Sequence, residues 1–270
     1  MTSLSLRSPA SPAAARPRRG TLRLIGHQIR YEQLSFWRNP QNAFFTFVFP
    51  VVIIVIYGLL FGGAGQRSSF FYGLSALQYY VPTIAGVSVL GACYSQLAIS
   101  LAMRRQNGIL KRVRATPLPA WAYFLGLLAH CVVVSVVDVT LIAGVGRAFG
   151  VPFPGHLLAI AVTLLLGAAC FCALGVAVAS LIRNADAAPA VVQLVLFPLV
   201  FMSGTYIPIH SAVVNTIAGL LPVRPFNQAL LGPFAQHAGV DWHSLSVLLG
   251  WGAIGAVVAL RRFRWSPRSG

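Results

Sequence analysis

The amino-acid sequence predicts an all-α polytopic membrane protein with six transmembrane helices. Hydrophobic residues make up 57% of the 270 residues and charged residues only 9%, whereas soluble domains average about half and about a quarter. Six apolar runs each approach the ~20 residues that a helix needs to cross the hydrocarbon core of a bilayer. An amphipathic segment before the first run predicts a further helix at the cytoplasmic membrane interface. The six runs are 44–61, 79–102, 121–145, 157–182, 187–207 and 245–260.

The first 40 residues predict two segments that stay outside the bilayer core. Residues 1–20 are rich in Ser, Pro, Ala and Arg, a composition typical of a disordered tail. Residues 21–40 have a helical period, and Asn39-Pro40 marks the end of that helix. Such a helix lies in the membrane interface with its arginines toward the headgroups. The apolar face contains Leu22, Ile25, Ile29 and Phe36, and the basic face contains Arg23, His27, Arg30 and Arg38.

The cations predict how the spans are oriented. Lys and Arg are retained on the cytoplasmic side of a bilayer. Seventeen of the twenty cations lie before the first run, after the sixth, or in the loops that follow the second and fourth runs. Both termini, including the tail 265–270, are therefore expected in the cytoplasm. The three cations on the other side are Arg67, Arg147 and Arg224.

The most basic loop, 103–119, reads MRRQNGILKRVRATPLP. Residues 106–114 predict a short helix that stops near Ala115, because the residue before a proline avoids the α region. Thr116 can cap the next helix, and Pro117 fits its first position, where the missing N–H would be unbonded anyway. Charge alone favours the plainer interpretation of a loop that only sets the topology.

The outer connection, 208–244, is long and apolar. One short amphipathic helix is predicted ahead of Pro222, either as a gate-like element on the outer surface or as part of a plain loop. Its apolar positions are Val213, Val214, Ile217, Leu220 and Leu221.

Four acidic residues occur in the chain, and only Asp138 lies well inside a span. A charge at mid-bilayer costs ~2.5–3.5 kcal/mol, so this carboxyl is a pathway residue or a buried polar contact between helices. Asp186 follows Arg183 by three residues, which favours a local surface pair. Glu32 and Asp241 indicate nothing specific.

The four cysteines all fall within apolar runs, which favours small core residues over disulfides or metal ligands. The net charge of +16 comes from blocks that flank the runs, a pattern that fits an anionic leaflet and argues against nucleic acid. The cysteines are Cys93, Cys131, Cys170 and Cys172.

Motifs for catalysis are absent from the sequence. A P-loop needs Gly-Lys before Ser or Thr to hold phosphates, but the single lysine, Lys111, follows Leu110. Paired carboxylates, HExxH and a Ser/His/Asp arrangement are also lacking. The chain is therefore not expected to be an enzyme.

Six spans, a preceding interfacial helix and the loop RQNGILKRVRATP at 105–117 together resemble an ABC-2 type permease, the membrane subunit of an ATP-binding-cassette exporter. The resemblance covers nearly the whole chain after residue 20 and implies one permease domain over 41–264. The fifth span and the outer loop are similar to the family pattern at Phe197-Pro198, Ser203-Gly204, Ile207-Pro208 and Leu221-Pro222.

The resemblance implies that the loop is a coupling helix docked on a separate ABC ATPase, present in two copies, which binds ATP and Mg²⁺. This chain would then hold no cofactor or metal itself. It would act with a second, identical or related permease subunit in the bacterial plasma membrane, exporting an amphipathic drug, a lipid-linked molecule or a polysaccharide. The implied coupling residues are Arg104, Arg105, Gln106, Gly108, Leu110, Lys111, Arg112, Thr116 and Pro117, assisted by Arg23, Ile29 and Arg30.

The chain also departs from the family pattern. Gln106 and Ile109 stand where an acidic residue and a threonine are common, and Asn227-Gln228-Ala229-Leu230 stands where an arginine is frequent. A charge contact with the ATPase is then missing or supplied by Arg104 or Arg105. Two other functions stay open: a proton-coupled secondary transporter that uses Asp138, and a scaffold that recruits a cytoplasmic protein through its basic loop.

Overall fold

A computed structural model describes residues 19–61, 67–116, 118–236 and 239–263, so most of the two predicted tails lies outside the described residues. The described chain is a bundle of apolar helices with one pair of two-residue antiparallel strands. The elements are α1 (Arg19–Trp37), α2 (Pro40–Ala43), α3 (Phe49–Phe61), β1 (Arg67–Ser68), β2 (Leu74–Ser75), α4 (Ala76–Leu90), α5 (Leu97–Gln106), α6 (Ile109–Arg114), α7 (Ala120–Ala148), α8 (Leu157–Leu181), α9 (Ala188–Met202), α10 (Ala212–Leu220), α11 (Val223–Leu231) and α12 (Trp242–Arg262).

Within the described ranges, five helices are long and apolar enough to cross a membrane, which confirms a helical polytopic membrane protein. Two of these five pass through a π-helical turn. The turn Phe44–Val48 joins α2 to α3, and the turn Gly91–Gln96 joins α4 to α5. The five helices are Pro40–Phe61, Ala76–Gln106, Ala120–Ala148, Leu157–Leu181 and Trp242–Arg262, and they coincide with five of the six predicted runs.

The remaining run, 187–207, forms a shorter helix than predicted. Its helix, α9, has 15 residues, so it is about 22 Å long at 1.5 Å per residue, against a hydrocarbon core of about 30 Å. The helix ends where the Ser203 hydroxyl donates to the Val200 carbonyl at 2.6 Å and Gly204 takes a φ of +78°. Glycine adopts that conformation at little steric cost, and the chain leaves the helix axis there.

The long helices alternate in direction, which gives the bundle two ends. Arg105 near the end of α5 donates to carbonyls at the end of α8. Phe263, after α12, packs against Phe124 near the start of α7 with ring centroids 5.2 Å apart. Helix α6 follows α5, so the start of α7 and the ends of α5, α8 and α12 all lie at the end of the bundle that carries α6, and we refer to this as the α6 end.

The connection after α9 enters the bundle at the opposite end. Helix α10 confirms the predicted amphipathic helix, but a second helix, α11, follows Pro222 and is largely buried. Phe226 of α11 packs on Gly167 of α8, where a Cβ atom would lie 2.2 Å from its ring. Asn227 packs equally closely on Gly86 of α4. Small residues thus let α11 approach two long helices, a common device in membrane proteins.

Replacing Gly167 with alanine is expected to lower the free energy of unfolding by about 1–3 kcal/mol, because the added Cβ overlaps the Phe226 ring. The matched control is Gly144→Ala in α7, where the space around the glycine is open. Thermal unfolding of the detergent-purified chain measures both variants. Equal unfolding midpoints for the two would contradict this packing of α11.

Candidate coupling site

The basic loop forms an elbow, residues 104–116, made of a tight turn and a short helix. Helix α5 ends at Gln106, and α6 begins after Gly108, whose φ is +69°. An L side chain in that conformation costs about 1–2 kcal/mol. The predicted end at Arg114 is confirmed, with Ala115 as the C-cap. The predicted start at Gln106 is wrong, because Gln106 belongs to α5 and the Gly108 turn separates the two helices.

One side of α6 faces the bundle and the other side is exposed. Leu110 is completely buried in the main hydrophobic core, which fixes the rotation of this short helix. The side chains of Lys111, Arg112 and Arg114 are exposed. The elbow therefore presents three exposed cations on one side of a helix whose other side packs against the bundle.

Arg105 and Gln106 attach the elbow to the connection between α8 and α9. The Arg105 guanidinium is buried and donates to the carbonyls of Ala179, at 3.0 Å, and Ile182. These carbonyls lie at the end of α8, where a helix leaves acceptors unpaired and where its dipole favours a cation. The Gln106 side chain accepts a hydrogen bond from the Ala185 backbone N–H at 2.7 Å.

Arg104 attaches the elbow to α1. Its guanidinium donates to both carboxylate oxygens of Glu32 at 2.7 Å and to the Tyr123 hydroxyl of α7 at 3.2 Å. Gln28 donates to the same carboxylate at 2.8 Å. Bidentate pairing of this kind is strong and fixes the geometry. The contact joins α1, α5 and α7 at one point, and Glu32 is only 3% exposed.

Thr116 has a different role from the one predicted. Its hydroxyl donates to the Val113 carbonyl at 2.6 Å and accepts from the Leu118 N–H at 3.4 Å, so it closes the end of α6. Helix α7 begins later, at Ala120, with Pro119 as its N-cap. The predicted helix start at Pro117 falls on a position outside the described residues, and the cap assigned to Thr116 is wrong because α7 begins at Ala120 with Pro119 in the N-cap position.

Of the predicted residues of α1, Arg30 lines a groove that is also lined by Thr116 of the elbow. Arg23 and Arg30 are exposed and Ile29 is half-buried, as the predicted faces require. The groove, of about 530 Å³, separates this helix from the end of the elbow. It is lined by Leu24, His27, Gln28, Arg30, Tyr31, Leu34, Thr116 and Leu118.

Asp138 is not part of this site. It lies on α7 eighteen residues after Ala120, about 27 Å along the helix axis, and it is buried. Among the described residues neither of its carboxylate oxygens has a hydrogen-bond partner. The Ser88 hydroxyl neighbours the carboxyl but donates to the Thr46 carbonyl at 3.2 Å instead.

The sequence interpretation missed the role of Glu32. On a helical wheel this residue falls on the apolar face of α1, together with Ile25, Ile29 and Phe36. A carboxylate on a face that packs against the protein needs a partner, because burial of an unpaired charge is very costly. That mismatch between residue type and helix face was the available signal.

Comparison with known proteins adds a family relationship. The ABC-2 type transporter family profile matches residues 24–234 of this chain. The chain is similar to the probable multidrug ABC transporter permease YbhR of Escherichia coli K12, with 25% identity over 177 residues, which are 63% of this chain and 48% of YbhR. It is also similar to the inner membrane transport permease YadH of the same strain, with 26% identity over 179 residues, 64% of this chain and 70% of YadH. The chain thus spans about half the length of YbhR.

The pairing of Glu32 with Arg104 predicts strong coupling between two substitutions. Arg104→Met is expected to cost about 3–5 kcal/mol, because it leaves the buried Glu32 carboxylate without its cation. Glu32→Leu should cost less, because Arg104 is 17% exposed and still donates to the Tyr123 hydroxyl. The double variant should cost much less than the sum, since it removes both charges. Chemical unfolding of the purified chain measures this cycle, with the exposed Lys111→Met as a control within about 0.5 kcal/mol of the parent. Additive costs would show that the two charges are independent.

Proposed function

Because the chain belongs to the ABC-2 type transporter family, we propose that it is the membrane permease of an exporter powered by a separate ATPase. The elbow carries this proposal. Its three exposed cations sit on a helix anchored by Leu110 and Arg105, whereas a loop that only set topology would need no such anchors. A partner with an acidic groove would bind this surface.

The docking surface extends from α6 to α1. The groove of about 530 Å³ ends at Thr116 and Leu118, so a partner that contacts α6 also reaches the exposed Arg30 of α1. Surface cations of this kind contribute mainly to specificity and association rate. Two copies of the ATPase, each binding ATP and Mg²⁺, would serve two permease subunits, and ATP-driven closure would push on both elbows.

The hydrogen bonds that hold the elbow would transmit this movement to the long helices. Arg104 links the elbow to α1 and α7, while Arg105 and Gln106 link it to the end of α8. A displacement of α6 would therefore tilt several long helices together. Chains of packed elements can carry energetic coupling between distant sites. The elbow, α1, α7 and the end of α8 form such a chain.

In the proposed topology α9 and the turn after it complete a sixth passage, and the α6 end faces the cytoplasm. The exposed cations Lys111, Arg112, Arg114, Arg261 and Arg262 all lie at this end, as retention of Lys and Arg on the cytoplasmic side requires. Tyr31, Leu34 and Trp37 of α1 are also exposed there, and such residues fit a membrane interface. We place the chain in the bacterial cytoplasmic membrane, the location named for YadH.

The opposite end would then form an outer gate. A cavity of about 540 Å³ lies beneath α11 and is lined in part by Tyr79, Arg224, Gln228 and Asp241. Asn227 anchors this helix, because its amide donates to the Thr205 hydroxyl at 2.7 Å. Movement of α11 would open the cavity to the outside. The proposed cargo is an amphipathic molecule, in keeping with the multidrug description of YbhR, and a second permease copy would close the pathway.

Introducing a negative charge into the elbow is expected to uncouple the exporter. Arg112→Glu, and likewise Gly108→Glu, should reduce ATP-dependent movement of an amphipathic fluorescent dye at least about tenfold, equivalent to 1.4 kcal/mol of lost interaction, without loss of membrane insertion. The matched control is Arg262→Glu, an exposed arginine at the same end but on α12. Dye transport by the variants and the control is measured in vesicles that contain the permease and its ATPase. Unchanged transport by both elbow variants would refute the coupling role, and absence of transport by the parent would favour a scaffold.

Asp138→Asn separates the exporter from a proton-coupled transporter. Its carboxyl is far from the elbow, and a relay across the membrane usually needs more than one ionisable group. We expect the variant to retain ATP-dependent transport in the same vesicles. Transport by the parent chain alone under an imposed proton gradient, lost in Asp138→Asn, would contradict the proposal.

A further inference from the structure

Three cysteine thiols meet inside the bundle although they come from three different parts of the chain. Cys93 lies in the π-helical turn between α4 and α5, Cys131 in α7 and Cys172 in α8. All three are buried, and their sulfur atoms lie within 4.8 Å of one another. The sequence favoured small core residues at these positions, and all three lie in the main hydrophobic core. Their convergence there also gives a cluster of three soft ligands, the thiol triad.

The backbone around the triad explains why the three sulfur atoms lie so close together. The π-helical turn inserts extra backbone into the helix that runs from α4 to α5, a feature often found at functional sites. Gly175 of α8 packs directly on this turn, because a Cβ there would lie 3.2 Å from the Cys93 carbonyl oxygen. One turn earlier on the same helix, Cys172 is thereby brought against Cys93. On the α7 side, the Ser135 hydroxyl lies 3.3 Å from the Cys93 sulfur.

Two cavities reach the triad from different directions. A polar cavity of about 380 Å³ has Cys131 in its wall, together with Glu32, Met103 and His130. Within the described part of the chain, the His130 Nδ1 atom is buried without a hydrogen-bond partner. A second, apolar cavity of about 770 Å³ has Cys172 in its wall. The polar cavity provides an entry lined by the Met103 thioether and the His130 imidazole, which are ligands for soft metal cations, while the Glu32 carboxylate in the same wall is paired with an arginine of α5.

We propose that Cys93, Cys131 and Cys172 bind one soft monovalent metal ion of the Cu(I) class. Thiolate ligands select Cu(I) and Zn(II) among the common metals, but structural zinc is almost always held by four ligands, and the triad offers three. On binding, the three S–H bonds break, three sulfur–metal bonds form, and the three protons leave through the polar cavity, because a cysteine must be deprotonated to bind a metal. The oxidation state does not change.

The test uses the full chain purified in detergent and titrated with Cu(I) alone, in competition with a chromophoric Cu(I) chelator. One Cu(I) per chain is expected to bind. Cys131→Ser and Cys172→Ser should each weaken binding at least about tenfold. The matched control is Cys170→Ser, which removes another buried thiol from α8 but lies outside the triad.

The coordination is measured by X-ray absorption at the copper edge, where the parent chain should show three sulfur neighbours. Unchanged helix content and elution volume of the serine variants exclude misfolding as the reason for lost binding. The proposal is overturned by substoichiometric binding, by an equal loss in Cys170→Ser, by nitrogen or oxygen coordination, or by tighter binding of Zn(II) in the same titration. Because no transport is measured, these outcomes are independent of the proposed exporter function.

Discussion

An ion pair joins α1 to the end of α5, where the elbow begins. Helix α1 lies beside α7 and does not cross the bundle, whereas Arg104 belongs to the last turn of the long helix Ala76–Gln106. Glu32 and Arg104 join them through two hydrogen bonds of 2.7 Å. Separation would leave charges in a site where each costs several kcal/mol unless paired. The ion pair therefore makes α1 and the elbow a single body.

This body is connected to the other end of the bundle by one long helix. The helix Ala76–Gln106 has 31 residues, about 46 Å at 1.5 Å per residue. Its first part lies beside α11, where Asn227 packs closely on Gly86, and it ends at the elbow. The π-helical turn Gly91–Gln96 interrupts its regular hydrogen bonding, and such interruptions are places where helices bend. The thiol triad lies at this turn, so an ion bound there would restrain the same bend.

Much of the fold was predictable because a lipid environment requires long apolar helices, which hydropathy identifies directly. The end of α6 was also predictable from the proline that follows it. The short length of α9 depends on the conformation of Gly204, and the burial of α11 depends on Gly86 and Gly167, which lie far away in the chain. Likewise, Glu32 pairs with a residue 72 positions later. Such contacts arise from packing of distant segments, which local sequence patterns do not specify.

In the proposed mechanism the elbow and α1 move as one body when the partner ATPase binds ATP. Spin labels at Ile109→Cys and Ser35→Cys, exposed positions that are not among the proposed docking cations, measure the distance between α6 and α1 by pulsed electron resonance. In the assembled transporter this distance should remain unchanged and narrowly distributed on addition of ATP. A shift or a broadening of the distance on ATP binding would contradict the account, since the ion pair would then not hold the two segments together.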